Sequence, residues 1–175
     1  MTDAAGTPGG PISQWSPPLS WFPRQLTQPT SFPGSIAVGW LLAFPVSILL
    51  GALVHWAAPQ AAPPQFPISG VTAVVMLVLF SPIVETLIMG AVLLVLLRFL
   101  RPTWAVIVSA AGWGVAHSLA APIWGLIIWW PFLVFSTLFV AWRRRSLALA
   151  FVAPMIVHGL QNLLPALFLA TGQVG

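Results

Sequence analysis

Long apolar runs, separated by short polar or proline-rich breaks, make up the chain from about residue 34 onward. A helix rises about 1.5 Å per residue and a hydrocarbon core is about 30 Å thick, so runs of roughly 20 residues suit membrane spans. We therefore predict an all-α fold, a polytopic transmembrane helix bundle of about five spans. The predicted spans are residues 34–56, 69–100, 103–119, 123–142 and 147–170.

The second run is too long for one straight span, because 32 helical residues would extend roughly 48 Å. Ser81-Pro82 lies near its middle. Proline removes a backbone donor and clashes with the preceding turn, so we expect this helix to tilt, kink or break there. Pro45 predicts a kink in the first span for the same reason.

The polar stretches divide the chain into three parts. Residues 1–33 have a composition typical of disorder, yet their aromatic residues and Arg24 suit a membrane interface or a partner's groove. We assign 1–33 as a tail that is interfacial or partner-bound. Residues 34–68 form the first span with a proline-rich linker, and residues 69–175 form the transmembrane core.

The composition excludes a water-soluble domain, because 59% hydrophobic and 5% charged residues leave too little polar surface. The absence of cysteine excludes disulfides and Cys-based metal sites. The first apolar run begins near Ser35, behind the tail, which does not fit a cleavable signal peptide. We predict a multi-pass protein of a bacterial cytoplasmic or internal membrane, in contact with lipids and not with nucleic acid.

The arginines predict the orientation of the bundle. Arg98 and Arg101 lie between the second and third spans, and residues 143–145 between the fourth and fifth, while the other two connections are uncharged. With five spans, both basic loops and the tail fall on one face. The positive-inside rule then places the N-terminus inside and the C-terminus outside.

Glu85 is one of only two acidic residues, and the other, Asp3, lies in the tail. A charged side chain at the centre of a span costs roughly 2.5–3.5 kcal/mol on insertion scales, so such residues face the protein interior and mark functional sites. Counted by helical rise from the nearest arginine, Glu85, His117 and His158 lie about 20, 24 and 20 Å deep. Three residues on three spans at similar depth meet the requirement for a shared site.

Helix faces support this grouping. His158 and Asn162 are four residues apart and therefore share one face of the fifth span. In the third span small residues recur at every fourth position, which lets helices approach closely and predicts a central position for that span. The two rows are Ala110, Gly114 and Ser118, and Gly112, Ala116 and Ala120.

Three motifs occur in order on successive spans: Pro-Ile-Val-Glu at 82–85, Trp113-x-x-x-His117 and His158-x-x-x-Asn162. They resemble the motifs of the CPBP family, also called Abi, which contains CAAX proteases and bacteriocin-processing enzymes. The resemblance covers about residues 75–168. The family pattern is Glu-Glu-x-x-x-Arg, Phe-x-x-x-His, and His-x-x-x-Asn or Asp.

The resemblance implies an intramembrane endopeptidase in which Glu85 and His117 activate a water, while His158 and Asn162 stabilise the oxyanion. A metal-binding version of the site would hold zinc at Glu85, His117 and His158. Thr86 and Gly90 replace the second Glu and the Arg of the family's first motif.

Those two replacements leave a second reading open. The chain would then be a catalytically degenerate homologue that acts as an accessory subunit, scaffold or assembly factor of a larger membrane complex. Its tail and tryptophan-rich surface would contact the other subunits, and in one variant a histidine would bind a pigment. A buried polar network that only specifies helix packing uses the same residues.

Overall fold

The computed structural model describes residues 14–172, and every regular element within that range is a helix, which confirms the all-α prediction. Two short turns, Leu19–Trp21 and Arg24–Thr27, precede five long helices. The long helices are α1 (Phe32–Ala57), α2 (Gly70–Leu96), α3 (Pro102–Ser118), α4 (Gly125–Arg143) and α5 (Leu147–Ala170).

Each predicted span corresponds to one of these helices. Four of them, α1, α2, α4 and α5, are long and apolar enough to cross a membrane. Helix α3 has 17 residues, which corresponds to roughly 26 Å and lies at the short end of the range for a span. Helix α1 continues through Pro45. The inside and outside positions of the termini stay a prediction.

The distortion expected at Ser81-Pro82 takes the form of a π-helical turn. Residues Val75–Phe80 are π-helical and lie between two α-helical parts of α2. Pro82 has no N–H to donate to the carbonyl of Val78, four residues earlier, so the regular ladder cannot pass through this point. The long apolar segment therefore changes its winding instead of running as one straight helix.

Helix α5 packs directly against the carbonyls of this turn. The side-chain amide of Asn162 donates to the carbonyl oxygen of Leu77 at 3.0 Å. A Cβ added to Gly159 would lie 2.7 Å from the carbonyl oxygen of Val78. The absent side chain of Gly159 thus allows the two backbones to approach closely.

Helix α4 is the centre of the bundle, and every residue from Pro131 to Trp142 is buried. The expectation that the third span is central is therefore wrong. One of its small-residue rows packs on α4, where a Cβ added to Gly114 would lie 3.2 Å from the carbonyl oxygen of Gly125. The other row is exposed, and nothing lies within 4 Å of a Cβ added to Gly112.

The described part of the tail packs on its own chain. Trp15 is 5% exposed and donates through Nε1 to the carbonyl oxygen of Thr27 at 2.8 Å. The backbone N–H of Ser16 donates to the hydroxyl of Thr103 at 2.9 Å. Arg144 donates to the side-chain oxygen of Gln14 at 3.4 Å. The segment therefore lies at the same end of the bundle as both basic loops, as predicted, while residues 1–13 lie outside the described range.

Candidate active site

Three ionisable side chains from three helices converge inside the bundle. Glu85 belongs to α2, His117 to the last turn of α3 and His158 to α5. Glu85 Oε2 lies 3.9 Å from His117 Nε2 and 4.0 Å from His158 Nε2. The structure thus brings together the three residues that share a predicted depth.

Ser81, one turn before Glu85, holds the carboxyl group in place. Its hydroxyl donates to Glu85 Oε1, which leaves Oε2 facing the two imidazoles. Oε2 is buried and has no hydrogen-bond partner within residues 14–172. Glu85 is also the only acidic residue in that range, and His117 and His158 are the ionisable side chains that lie within 4.0 Å of it.

His117 is oriented by the backbone of its own helix. Its Nδ1 lies 2.8 Å from the carbonyl oxygen of Trp113. A carbonyl oxygen only accepts, so Nδ1 carries the hydrogen and donates it. In the neutral ring, Nε2 then presents a lone pair towards Glu85, which suits accepting a hydrogen from water.

Aromatic rings enclose both imidazoles. The ring of His158 stacks on Phe135, with centroids 4.8 Å apart, and meets the edge of Phe132 at 5.4 Å. The ring of His117 meets Trp124 edge-on at 4.7 Å. These contacts fix the ring planes, and they come from α4 and the turn before it, which periodicity alone did not connect to the site.

Asn162 lies close to this cluster but is already engaged. It lines the same cavity as Glu85, His117 and His158. One hydrogen of its amide is used in the bond to the Leu77 carbonyl, and the second remains for the predicted oxyanion role. No sequence pattern pointed to the Leu77 bond, because that bond depends on the π-helical turn.

The cluster opens into a cavity of about 710 Å³. Most of its lining is apolar and comes from α1, α4, α5 and the linker between α1 and α2. The side chain of Glu85 is 22% exposed and lines this cavity. Sequence reasoning missed four polar residues of the cavity, which are Ser47, Gln65, Ser81 and Gln161. For Ser81 and Gln161 the available signals were their spacings of four from Glu85 and three from His158.

The two replaced family positions face the packed interior. Thr86 is 1% exposed. A Cβ added to Gly90 would lie 2.7 Å from a ring carbon of Phe139 and also against the ring of Phe151. An arginine does not fit at position 90 without displacing these rings, so the cation of the family pattern is replaced by aromatic packing.

The geometry suits a bridging water. The 3.9 Å between Glu85 Oε2 and His117 Nε2 exceeds hydrogen-bond length. A water placed about 2.8 Å from both atoms would see them at an angle of roughly 90°, close to the angle between its own O–H bonds. Both atoms are acceptors, so one such water would donate to each.

The same atoms fit tetrahedral zinc less well. Zinc bonds of about 2.0–2.1 Å place neighbouring ligand atoms roughly 3.3–3.4 Å apart, whereas the separations here are 3.9 and 4.0 Å. Within residues 14–172 no three His, Cys, Asp or Glu side chains are grouped to hold a metal ion. The zinc site stays a prediction, and no chemical step below depends on it.

A comparison with protein-family models matches residues 67–164 to the family described as "Type II CAAX prenyl endopeptidase Rce1-like". This range is just over half of the chain and includes Glu85, His117, His158 and Asn162. Comparisons with curated proteins and with solved structures found no significant match.

Proposed function

The chain belongs to the Rce1-like family of type II CAAX prenyl endopeptidases, and from this premise we propose that it is an intramembrane endopeptidase. Membership confirms the resemblance to the CPBP family. Together with the apolar helices, it makes the chain an integral membrane protein. The bacterial location stays a prediction.

One observation carries the proposal. A buried carboxylate oxygen without a protein partner lies about equally far from two imidazole nitrogens, at 3.9 and 4.0 Å. A polar network that served packing alone would be expected to close these gaps with direct hydrogen bonds, because unpaired buried acceptors cost free energy. A separation of 3.9 Å lets one water donate to both Glu85 Oε2 and His117 Nε2, which places that water within reach of the general base.

In the proposed reaction a water donates one hydrogen to Glu85 Oε2 and the other to His117 Nε2. As its oxygen attacks the peptide carbonyl carbon, Glu85 takes the proton. The developing oxyanion accepts hydrogen bonds from His158, when Nε2 carries its hydrogen, and from the second amide hydrogen of Asn162. The C–N bond then breaks and the proton passes from Glu85 to the leaving amine, giving an acid and an amine.

The apolar cavity points to an apolar substrate segment. Its lining combines aromatic and aliphatic side chains with the few polar groups already described, as in typical ligand pockets. The family's description names CAAX prenyl endopeptidases. A prenylated peptide with a CAAX terminus is therefore the first substrate to test, beside the same peptide without the prenyl group.

The accessory-subunit reading is favoured by a separate observation. At Gly90, the Arg position of the first motif, the rings of Phe139 and Phe151 fill the space. One of the two amide hydrogens of Asn162 is used in the bond to the Leu77 carbonyl on α2. Such a protein would keep the fold and the buried cluster without cleaving peptides. Lack of cleavage by the intact chain, together with stoichiometric partners in a mild-detergent extract, would favour this reading.

The experiment that tests catalysis is peptide cleavage by purified protein in nanodiscs. Glu85→Gln removes the base and keeps the shape, so cleavage should fall about 10²–10⁴-fold while thermal unfolding changes little. His55→Gln is the matched control, because His55 is exposed at the end of α1 and away from the cavity. Cleavage unchanged by Glu85→Gln would overturn the mechanism.

A further inference from the structure

Gln161 is a cavity residue that the reaction described above does not use. It lies on α5, three residues after His158 and one before Asn162. Residues three apart on a helix share a face, so its side chain belongs to the same region of the cavity as the catalytic cluster. The cavity lining includes Gln161 together with Glu85 and both histidines.

The side-chain oxygen of Gln161 is enclosed but unpaired. Oε1 is buried and has no hydrogen-bond partner in the described part of the chain. Native proteins pair nearly all buried polar atoms, since an unmade hydrogen bond costs free energy. Because Gln161 lines the cavity, this unpaired acceptor is placed to accept from a donor that enters the cavity.

The other two amide side chains of the cavity differ in this respect. Asn162 donates to the carbonyl oxygen of Leu77 at 3.0 Å, and Gln65 donates to the carbonyl oxygen of Pro63 at 3.4 Å. Each is tied to the protein's own backbone. Gln161 is thus the amide of this cavity that makes no hydrogen bond to the protein's own backbone within the described residues.

The backbone N–H of a peptide substrate is a suitable donor to Gln161 Oε1. A peptide that enters an apolar cavity loses water from its backbone N–H and C=O groups and needs replacement partners. A carboxamide offers one acceptor and an NH₂ donor, so it matches the donor and acceptor of a peptide unit. The lining holds two other carboxamides, Asn162 and Gln65, and both already donate to the protein's own backbone.

We propose that Gln161 binds a main-chain amide of the substrate next to the scissile bond, with Oε1 accepting the peptide N–H. This inference rests on the proposed peptidase function and adds a substrate-binding residue to it. Gln161 thus contacts the backbone of the substrate and none of its side chains. It therefore positions the scissile carbonyl against Glu85 and His117 while tolerating varied sequences.

The test measures binding separately from cleavage. The parent is the full chain carrying Glu85→Gln, in nanodiscs, and the probe is a fluorescent farnesylated CAAX peptide. In each of four further probes, one of the last four backbone amides of this peptide is replaced with an ester, which deletes one N–H. We expect one ester to bind about tenfold more weakly than the all-amide probe, the effect of one hydrogen bond.

Adding Gln161→Met to the parent should weaken binding of the all-amide probe by about tenfold and abolish its preference over that one ester. Gln65→Met is the matched control, because it removes an amide from the same cavity and should leave both affinities unchanged. Binding that is not saturable in the parent, or an ester preference that persists in Gln161→Met, overturns the inference.

The two proposals fail in different ways. In one outcome, binding is ester-sensitive and depends on Gln161, while the chain with its native Glu85 cleaves no peptide. That outcome would support the binding role and reject the peptidase. Cleavage that depends on Glu85, with kcat/KM unaffected by Gln161→Met, would support the peptidase and reject the binding role.

Discussion

Ser81 determines how the carboxyl group of Glu85 is presented. Its hydroxyl donates to Oε1, so the free oxygen, Oε2, faces His117 and His158. The bond spans four residues of one helix, where side chains are close neighbours. A hydroxyl at this position thus orients the proposed base without entering the reaction.

Ser81→Ala should lower kcat about tenfold with little effect on KM, because the carboxyl group loses the hydrogen bond that fixes its rotamer. Steady-state peptide cleavage in nanodiscs measures this. Ser47→Ala is the control, since Ser47 lines the same cavity but donates only to the Ala43 carbonyl within its own helix. Equal losses in both variants would show that Ser81 has no specific role.

At the residue scale, the sequence predicted those site residues whose burial in a membrane span costs much free energy. A carboxyl in an apolar run is expensive, so Glu85 stood out, and comparable depth selected His117 and His158. Ser81 and Gln161 were missed because uncharged polar residues carry no comparable penalty. The engagement of Asn162 by Leu77 depends on a carbonyl that a regular helix would not offer.

At the scale of elements, the contact between the π-helical turn and α5 sets the position of Glu85 relative to His158. Gly159 lies against the Val78 carbonyl and Asn162 bonds the Leu77 carbonyl. These contacts lie about two turns before Glu85 on α2. A shift of this turn would move the carboxyl group away from both histidines.

Gly159→Ala should destabilise the protein by about 1–3 kcal/mol, because the new Cβ would overlap the Val78 carbonyl and push the two helices apart. Thermal unfolding in detergent measures the loss. Gly112→Ala is the matched control, since nothing lies within 4 Å of its added Cβ, and it should cause no loss. Similar losses for both would contradict the close approach described for Gly159.

Proline chemistry predicted a distortion of α2 but not its kind. Kinks, breaks and π turns all relieve a missing N–H, and the choice here depends on the partners that α5 provides. The small-residue rows of α3 predicted a close contact, and one row makes it. Spacing alone did not reveal that the other row is exposed.

At the scale of the whole molecule, the N-terminal segment closes the arginine-bearing end of the bundle. It reaches Thr103 on α3 and Arg144 after α4, and so links helices that are distant in sequence. Composition predicted a tail held by an interface or a partner. The described residues of that tail are held by the chain itself, through the buried indole of Trp15.

Trp15→Ala should destabilise the folded protein by about 3–5 kcal/mol, because it removes a buried aromatic ring and its hydrogen bond. Trp21→Ala should have little effect on stability, since Trp21 is 78% exposed. Thermal unfolding of both variants in the same detergent makes the comparison. A small effect of Trp15→Ala would show that the segment contributes little to the fold.

The number of helices and their order could be read from the apolar runs, but the centre of the bundle could not. Helix α4 is rich in large aromatic residues, which suit lipid contact as well as a packed core, and only the packing decides between them. The apolar pattern therefore did not connect Phe132 and Phe135 with the site, although they enclose His158.

Whether Glu85 and His117 deliver a water directly to the peptide carbonyl is tested by one single-turnover cleavage in H₂¹⁸O with enzyme in excess. Mass spectrometry then locates the label. Direct attack predicts one ¹⁸O in the new carboxylate of the peptide product and none in Glu85. Label in the Glu85 carboxyl group, which would indicate a covalent intermediate, or the absence of any cleavage, would contradict the account.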